Sequence, residues 1–335
     1  MKITRRNFIF GVLFVYSKFV FPRKLYETSS YLKNQISNAF KYRIPDDMGS
    51  SMPRWSFGTG MHNFQYHAFD EINRSLYTLQ HSSFNLDGGK ITRFPMDSDG
   101  EMEFIDAQSY NPTIGHQFLS VEYQSDGDIK LWAAKGPKES LSLVRFNYNA
   151  DGKPLNLEEY ILFDHRVFGC FYMTGCISYD QKWIIVRGRS RPDSKYFGYN
   201  CIAIFNLKKL LEHGPGCCFH LAEHFWVIDH YLSDSKHSNI NPQSIISDGY
   251  YIYVLYGPSH IELQNILRKY NFNGDIVFEL NNLDVGKVDA MTKSDGHSNE
   301  IEGAQFIKIN DGPPVLTIGL IQGGPLLYKN IYIVK

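Results

Sequence analysis

From about residue 61 the chain alternates hydrophobic and polar residues over short runs, which is the pattern of half-buried β-strands. Runs are separated by Asp- or Gly-containing turns, and the sequence divides into five similar blocks. The first turn of each block contains an aspartate, and successive aspartates are 56, 54, 68 and 63 residues apart: Asp70, Asp126, Asp180, Asp248 and Asp311. We therefore predict an all-β fold, a five-bladed β-propeller of four-stranded antiparallel blades over residues 61–335. A double-sheet β-sandwich is the alternative, but sandwiches lack a five-fold super-period.

Composition supports this fold class. The aromatic share is 15%, mostly 22 Tyr and 24 Phe, and these residues favour strands. With 34 basic and 35 acidic residues the chain has almost no net charge, so we expect no nucleic-acid partner. Five cysteines are too few and too irregularly spaced for a disulfide framework or a CxxC metal site, so we predict buried or idle thiols and no metal site, with one or two disulfides as the alternative in an exported protein.

The N-terminus has the pattern of a targeting segment. Residues 1–24 begin with basic residues and continue as an apolar run interrupted by Lys18, which makes a poor membrane span. The segment Thr4–Ile9 (TRRNFI) resembles the twin-arginine export signal. We expect an exported protein that is periplasmic, on the cell surface or secreted, with an uncleaved membrane anchor as the alternative. Residues 25–60 are expected to be a short helix and linker leading to the propeller.

One polar position recurs at the opening of the blocks. Alignment on the turns places Gln65, Gln117, Gln243 and Glu302 there, whereas block three has Thr174 or Gly175. In a propeller the first strand of each blade is innermost and starts at the rim of the central channel, so these side chains should converge on the axis. Convergent amides and a carboxylate could bind a sugar, a phosphate-bearing group or a cation. They could equally hydrogen-bond neighbouring blades and close the ring.

Other candidate groups lie near this position or on a neighbouring strand. His116 directly precedes Gln117, and His67 lies two residues past Gln65, on the same strand face if the alternation is regular. Arg187, Arg189 and Arg191 alternate and would project from one face of a strand, where they could hold phosphates or form a solvated edge. The sequence contains no GxSxG, P-loop or HExxH motif, and it identifies no cofactor and no catalytic residue directly.

The block openings resemble the β-propeller shared by phage receptor-binding proteins and C-type teichoic-acid biosynthesis proteins. The resemblance is carried by four segments, QYHAFDE (65–71), GHQ (115–117), PQSIISD (242–248) and EIEG (300–303). It implies a five-bladed propeller that recognises cell-surface phosphopolymers or glycans. Blade three departs from the family's pattern because it lacks the Gln. Gln117 and Ser244 stand where the family commonly has glycine.

Three functions follow as hypotheses. The first is an exported propeller that binds an anionic, teichoic-acid-like glycan or phosphopolymer at its channel mouth, through the recurrent polar residues with the arginines assisting. The second is a secreted hydrolase or lyase of such a polymer, with His116 as general acid or base and Glu302 as its partner. The third is a protein-interaction scaffold, which a channel plugged by side chains would favour.

Overall fold

A computed structural model gives the architecture. It describes residues 40–44, 62–82, 89–97, 100–101, 103, 105–110, 114–115, 117–136, 141–150, 152–164, 173–190, 199–229, 240–258, 265–283, 285–287, 290–291, 298–309, 312–323 and 327–334. The predicted twin-arginine segment lies outside these residues. In the described part of the chain no helix is both long enough and apolar enough to cross a membrane.

The described strands form five sheets, each built around an up-and-down antiparallel blade. In chain order they are β1 (Phe40–Ile44), β2 (His62–Asp70), β3 (Ser75–Ser82), β4 (Gly89–Pro95), β5 (Gly100–Glu101), β6 (Asp106–Tyr110), β7 (Leu119–Tyr123), β8 (Ile129–Ala134), β9 (Ser142–Asn147), β10 (Leu155–Ile161), β11 (Thr174–Ile177), β12 (Trp183–Arg189), β13 (Tyr199–Asn206), β14 (Gly216–Cys217), β15 (Ala222–Asp229), β16 (Pro242–Ser247), β17 (Ile252–Tyr256), β18 (Ile266–Tyr270), β19 (Ile276–Asn281), β20 (Asn299–Lys308), β21 (Pro314–Gly323) and β22 (Leu327–Val334). From the inside outward, the blades are β2-β3-β4-β6, β7-β8-β9-β10, β11-β12-β13-β15, β16-β17-β18-β19 and β20-β21-β22-β1.

The inner strands form a closed ring. Each of β2, β7, β11, β16 and β20 contacts the inner strand of the next blade, and β20 returns to contact β2. The predicted five-bladed β-propeller of four-stranded blades is therefore confirmed. Because all five inner strands run in the same axial direction, their first residues share one end of the channel and their hairpin turns share the other.

The core is divided among the blade interfaces. Five clusters of buried hydrophobic side chains lie between successive blades, one per interface. The interface between blades two and three, for example, packs Phe118 and Trp132 against Ile184 and Val186, all essentially inaccessible to solvent. A single four-stranded blade exposes both of its faces, so this radial packing is what stabilises each sheet.

Four of the five aspartates that mark the repeat are turn residues, and the fifth, Asp311, lies outside the described residues. The Asp70 carboxylate accepts hydrogen bonds from the backbone N–H groups of Ile72 and Asn73. Equivalent bonds to backbone N–H groups in the turn are made by Asp126, Asp180 and Asp248. A short carboxylate that folds back onto its own turn stabilises a tight connection between strands, which explains why the residue recurs once per block.

Blade five is closed by strand β1 from the opposite end of the chain. β1 pairs antiparallel with β22, from Phe40 opposite Ile333 to Ile44 opposite Lys329. These five residues fall in the segment expected as a helix or linker, and the structure has them as the fourth strand of blade five. Without β1, β22 would be the edge strand of this sheet, with unpaired backbone N–H and C=O groups. The alternating five-residue segment FKYRI pairs with that edge.

Two short strands add to the outer edges of the blades. β5, from the connection between β4 and β6 of blade one, pairs in parallel with β1 of blade five. β14, from the connection between β13 and β15 of blade three, pairs in parallel with β10 of blade two. That second connection also contains the helix α1 (Leu207–His213), whose first turn is capped by the Asn206 side chain. In both cases a connection reaches back to the preceding blade and covers its exposed edge.

Candidate functional site at the channel mouth

The recurrent polar position is a β-bulge in three of the five inner strands. The register of β2 against β3 shifts at Gln65, that of β16 against β17 shifts at Gln243, and that of β20 against β21 shifts at Glu302. A bulge leaves one residue unpaired and re-aims its side chain, and bulges are frequent next to functional sites. The repeat seen in the sequence is thus a repeated irregularity of the backbone.

In blade two the recurrent polar residue, Gln117, is not part of a β-bulge. Gln117 lies just before β7 and has a left-handed backbone conformation, with φ of 63°. This region is readily accessible to glycine but is uncommon for other residues. The strained backbone directs an amide side chain into the mouth where a glycine would leave none.

Amides and a carboxyl group from three blades are joined across the mouth. The Gln117 Nε2 group donates to Gln243 Oε1 at 3.5 Å, and Gln243 Nε2 donates to Glu300 Oε1 at 2.8 Å. These residues belong to blades two, four and five, so the hydrogen-bonded chain spans the channel. We call the group formed by Gln117, Gln243, Glu300, Glu302 and Arg187 the channel mouth.

Glu302 is the most deeply buried acid of the channel mouth. Its side chain is almost inaccessible, and among the described residues its Oε2 atom has no hydrogen-bond partner. Burial raises the pKa of Glu302 well above its usual value, and the neighbouring charge of Glu300 raises it further. Burial also raises the pKa of Glu300, against the opposing effect of its bond from Gln243. Both carboxyl groups are therefore biased toward the neutral form, in which a carboxyl can donate as well as accept a hydrogen bond.

An arginine reaches the mouth from blade three, which lacks the recurrent glutamine. Thr174 at the start of β11 is paired with Arg187 of β12. The Arg187 guanidinium is buried and donates from Nη1 to the carbonyl oxygen of Pro242 in blade four. Arg189 follows two residues later, on the same face of β12 and closer to the rim. The mouth thus has cationic groups on the side of blade three and carboxyl groups on the side of blade five.

Two predicted residues, Gln65 and His67, stand apart from this hydrogen-bonded chain. The amide of Gln65 donates to the neighbouring carbonyl of Phe64 at 3.1 Å. The bulge at Gln65 interrupts the regular alternation, and His67 lies buried between blades one and five, where its Nε2 is 2.9 Å from Thr317 Oγ1. Burial lowers the pKa of His67 to about 3, so the ring is neutral. His116 and Arg191 lie outside the described residues.

Tyr66 forms the floor of the mouth. Its hydroxyl donates to the carbonyl oxygens of Gly175 at 3.0 Å and Ile245 at 3.1 Å, and it lies 3.1 Å from Ser244 Oγ. Those partners belong to blades three and four, opposite blade one in the ring, so the side chain crosses the channel. Gly303 makes room for its ring, since a Cβ atom there would lie 3.2 Å from the Tyr66 Cδ2. The mouth is therefore a shallow cup and not the entrance of an open pore.

Comparison with known proteins identifies the family. Residues 63–333 match the model of the phage five-bladed β-propeller receptor-binding platform domain. The chain belongs to this family. The match includes strands of all five blades and leaves out β1, the outer strand of blade five. A search of the curated proteins found no match.

Solved structures with a similar fold include a phage protein. The tail fibre of Staphylococcus aureus phage P68 aligns with a TM-score of 0.56 and 18% identity, over 82% of this chain and 50% of that chain. The platform thus spans about half the length of that tail fibre. The α-L-arabinofuranosidase of Lactobacillus brevis aligns with a TM-score of 0.48 and 9% identity, over 80% and 89% of the two chains. At these identities the structural likeness concerns the fold alone.

The platform's mouth also contains a residue that sequence reasoning missed. Glu300 accepts the hydrogen bond from Gln243, yet the prediction placed only Glu302 at the site. The signal was present in the sequence as two glutamates two positions apart, in the EIEG segment (300–303). In the described part of the platform no group of three or more His, Cys, Asp or Glu side chains is placed to hold a metal ion.

Proposed function

We propose that this platform binds a cell-surface glycan, specifically a glycosylated polyol-phosphate polymer of the teichoic-acid kind, across its channel mouth. The observation that carries the proposal is the hydrogen-bonded chain from Gln117 through Gln243 to Glu300, which brings three blades together at one point. Membership of a receptor-binding family agrees with it and gives the protein a surface-exposed place of action.

The two sides of the channel mouth suit the two kinds of group in such a polymer, its sugar hydroxyls and its phosphates. Carboxyl groups biased toward the neutral form, together with amides, can both donate to and accept from sugar hydroxyl groups. Arg189, and Arg187 with its guanidinium fixed by Pro242, supply positive charge on the side of blade three for a phosphate. Because Tyr66 blocks the channel, the polymer would lie across the cup and would not thread through it.

The test compares a phosphate-bearing polymer with neutral oligosaccharides prepared from it by removing the phosphates. Gln243→Ala should weaken binding of both ligands by about tenfold, since it removes an amide that contacts two neighbours. Arg189→Ala should weaken binding of the phosphorylated polymer only, and should flatten its salt dependence. Binding is measured by biolayer interferometry with immobilised polymer.

Matched controls lie at the opposite end of the propeller. Asn273→Ala removes an exposed amide from the turn between β18 and β19, and Arg74→Ala removes an exposed arginine paired with Asp97 in a hairpin of blade one. Both controls should bind as the wild type does. Unchanged binding in Gln243→Ala and Arg189→Ala would refute the proposed site.

Hydrolysis of the same polymer is the second candidate. It is favoured by the paired carboxyl groups, because a glutamate with a raised pKa can protonate a leaving oxygen as a general acid. In that case Glu302→Gln should abolish the release of phosphate or sugar from the polymer while leaving binding largely intact. A platform that binds the polymer and releases no product over prolonged incubation is a receptor binder alone.

A further inference from the structure

The other end of the central channel contains a second cavity. Its volume is about 220 Å³, and it is lined by residues of all five blades, so it lies on the propeller axis. The hairpin turns that follow the inner strands surround it, and we call it the hairpin-end cavity. Tyr66 crosses the channel near the starts of the inner strands and separates this cavity from the channel mouth.

Fixed aromatic and polar groups line the hairpin-end cavity. Tyr179 donates to Glu71 Oε2 at 3.4 Å, and the other oxygen of the same carboxylate accepts the backbone N–H of Lys308 at 2.6 Å. The Glu71 N–H in turn donates to the hydroxyl oxygen of Tyr123 at 2.8 Å. Gln305 is held between blades one and two, through bonds with the Phe69 N–H and the Leu119 carbonyl. These bonds position the side chains before any ligand arrives.

Two hydroxyl protons in the cavity remain available. The Tyr123 oxygen accepts from Glu71, and the Ser120 oxygen accepts the Ile177 N–H at 3.1 Å, while neither hydroxyl donates to a described residue. Burial raises the pKa of Tyr123, and burial with the nearby Glu71 charge raises that of Tyr179 to about 12. Both phenols are therefore protonated at neutral pH and can act as hydrogen-bond donors.

The lining also excludes anions. Among the described residues that line the cavity none is Lys or Arg, whereas Glu71 and Asp180 both contribute carboxylates. The Asp180 carboxylate is paired with the exposed Lys182 at 3.0 Å, so the repulsion of anions comes mainly from Glu71. An anionic ligand would meet repulsion there, unlike at the channel mouth with its arginines. Phe69, Phe306 and the two tyrosines provide aromatic surface. Aromatic rings, hydroxyl donors and carboxylate acceptors together are the chemistry that holds a neutral sugar ring.

We propose that the hairpin-end cavity is a second ligand site, which binds one neutral monosaccharide or alditol unit. It is independent of the receptor site because it lies beyond Tyr66 and shares no residue with the channel mouth. Its small volume restricts the ligand to a single unit, and its open side faces the hairpin turns.

Saturation-transfer NMR with the purified protein tests this site, with glucose, N-acetylglucosamine and glycerol as neutral probes and glucose 1-phosphate as the anionic probe. At least one neutral probe should bind saturably, and glucose 1-phosphate, which the arginines of the channel mouth can bind, should not displace it from the cavity. Glu71→Gln keeps the size of the side chain and its bond to Lys308, and should weaken binding by about tenfold through loss of the charged acceptor. Tyr123→Phe, which removes one available donor, should weaken it by a similar factor.

Asn273→Ala, at an exposed turn that lines neither site, is the control and should leave sugar binding unchanged. Gln243→Ala removes an amide of the channel mouth, so a loss of sugar binding in that variant reports on sugar held at the mouth. A far-ultraviolet circular dichroism spectrum checks the fold of each variant, and Glu71→Gln keeps the test valid if Tyr123→Phe proves unstable. The proposal is overturned if none of the neutral probes binds saturably. It is also overturned if both variants bind as the wild type does, or if the loss follows Gln243→Ala instead.

Discussion

Replacing Tyr66 by phenylalanine would remove a single oxygen atom from the centre of the propeller. The phenolic hydroxyl has one proton, which it shares between the carbonyl oxygens of Gly175 and Ile245 at 3.0 and 3.1 Å. Carbonyl groups only accept, so the Ser244 hydroxyl, 3.1 Å away, is the donor to the Tyr66 oxygen. In the phenylalanine variant the ring still fills the channel, but these three groups lose their common partner.

The cost follows from the number of hydrogen bonds lost. Tyr66 and Ser244 are inaccessible to solvent, so water does not replace the missing hydroxyl. One bond from the tyrosine proton and one from Ser244 are lost, each worth about 0.5–1.5 kcal/mol net, which gives a loss of about 1–3 kcal/mol in the free energy of unfolding. In a domain of about 250 residues, each kcal/mol lowers Tm by about 2–4 °C.

Urea denaturation followed by tryptophan fluorescence measures this change, with Tyr250→Phe as the matched control. Tyr250 is 74% exposed, so loss of its hydroxyl should change the stability by less than about 0.5 kcal/mol. If Tyr66→Phe is as stable as the control, the hydroxyl does not join blades one, three and four, and the channel floor described above is wrong.

Three further substitutions test other parts of the structure. Gln117→Gly should remove the steric strain of the left-handed backbone at this position, so the variant should be as stable in urea as the wild type or up to about 1 kcal/mol more stable. Its receptor binding should fall, because the amide is lost. A clear loss of stability would contradict the strain at Gln117. Glu302 has a raised pKa in the folded state, so its stabilising effect is complete at low pH and is lost as the pH rises through that pKa. Glu302→Gln should therefore be as stable as the wild type near about pH 4 and more stable than the wild type near about pH 8. A difference in stability that does not depend on pH, measured by urea denaturation, would contradict this. Arg145→Met should lower the free energy of unfolding by about 3–5 kcal/mol in the same assay, because it leaves the buried Glu122 carboxylate without the guanidinium that binds both its oxygens. Lys135→Met, which breaks a half-exposed ion pair with Glu159, should lower it by less than about 1 kcal/mol. Equal losses would refute the buried ion pair.

The blades could be predicted from the sequence because their signals are local. Asp70, Asp126, Asp180 and Asp248 each accept hydrogen bonds from backbone N–H groups two or three residues ahead. Their repeat can therefore be recognised in the sequence without knowledge of the tertiary packing. The fourth strand of blade five was not predicted, since its partner β22 lies almost 300 residues away in the chain. Its alternating FKYRI pattern and the missing fourth strand of block five were the available signals.

The candidate site was only partly predictable. The sequence indicated which polar residues recur, and the structure joins Gln117 to Gln243 at the mouth. A bulge cannot be recognised from alternation alone, and the bulge at Gln65 is the reason that the environment of His67 could not be foreseen. The hairpin-end cavity was missed because its lining comes from the inner strands and turns of all five blades, with no residue type in common.

The pairing of β1 with β22 determines when blade five can be completed during synthesis. Residues 40–44 leave the ribosome long before residues 327–334. The edge of β1 that pairs with β22 therefore stays unpaired while blades one to four are synthesised. Pairing over such a sequence distance is slow, because the entropy of closing the loop is lost before the contacts form. A nascent chain stopped before β22 would therefore have a fifth blade of two strands, β20 and β21, and that sheet is completed only when the last strand to be made pairs with the first.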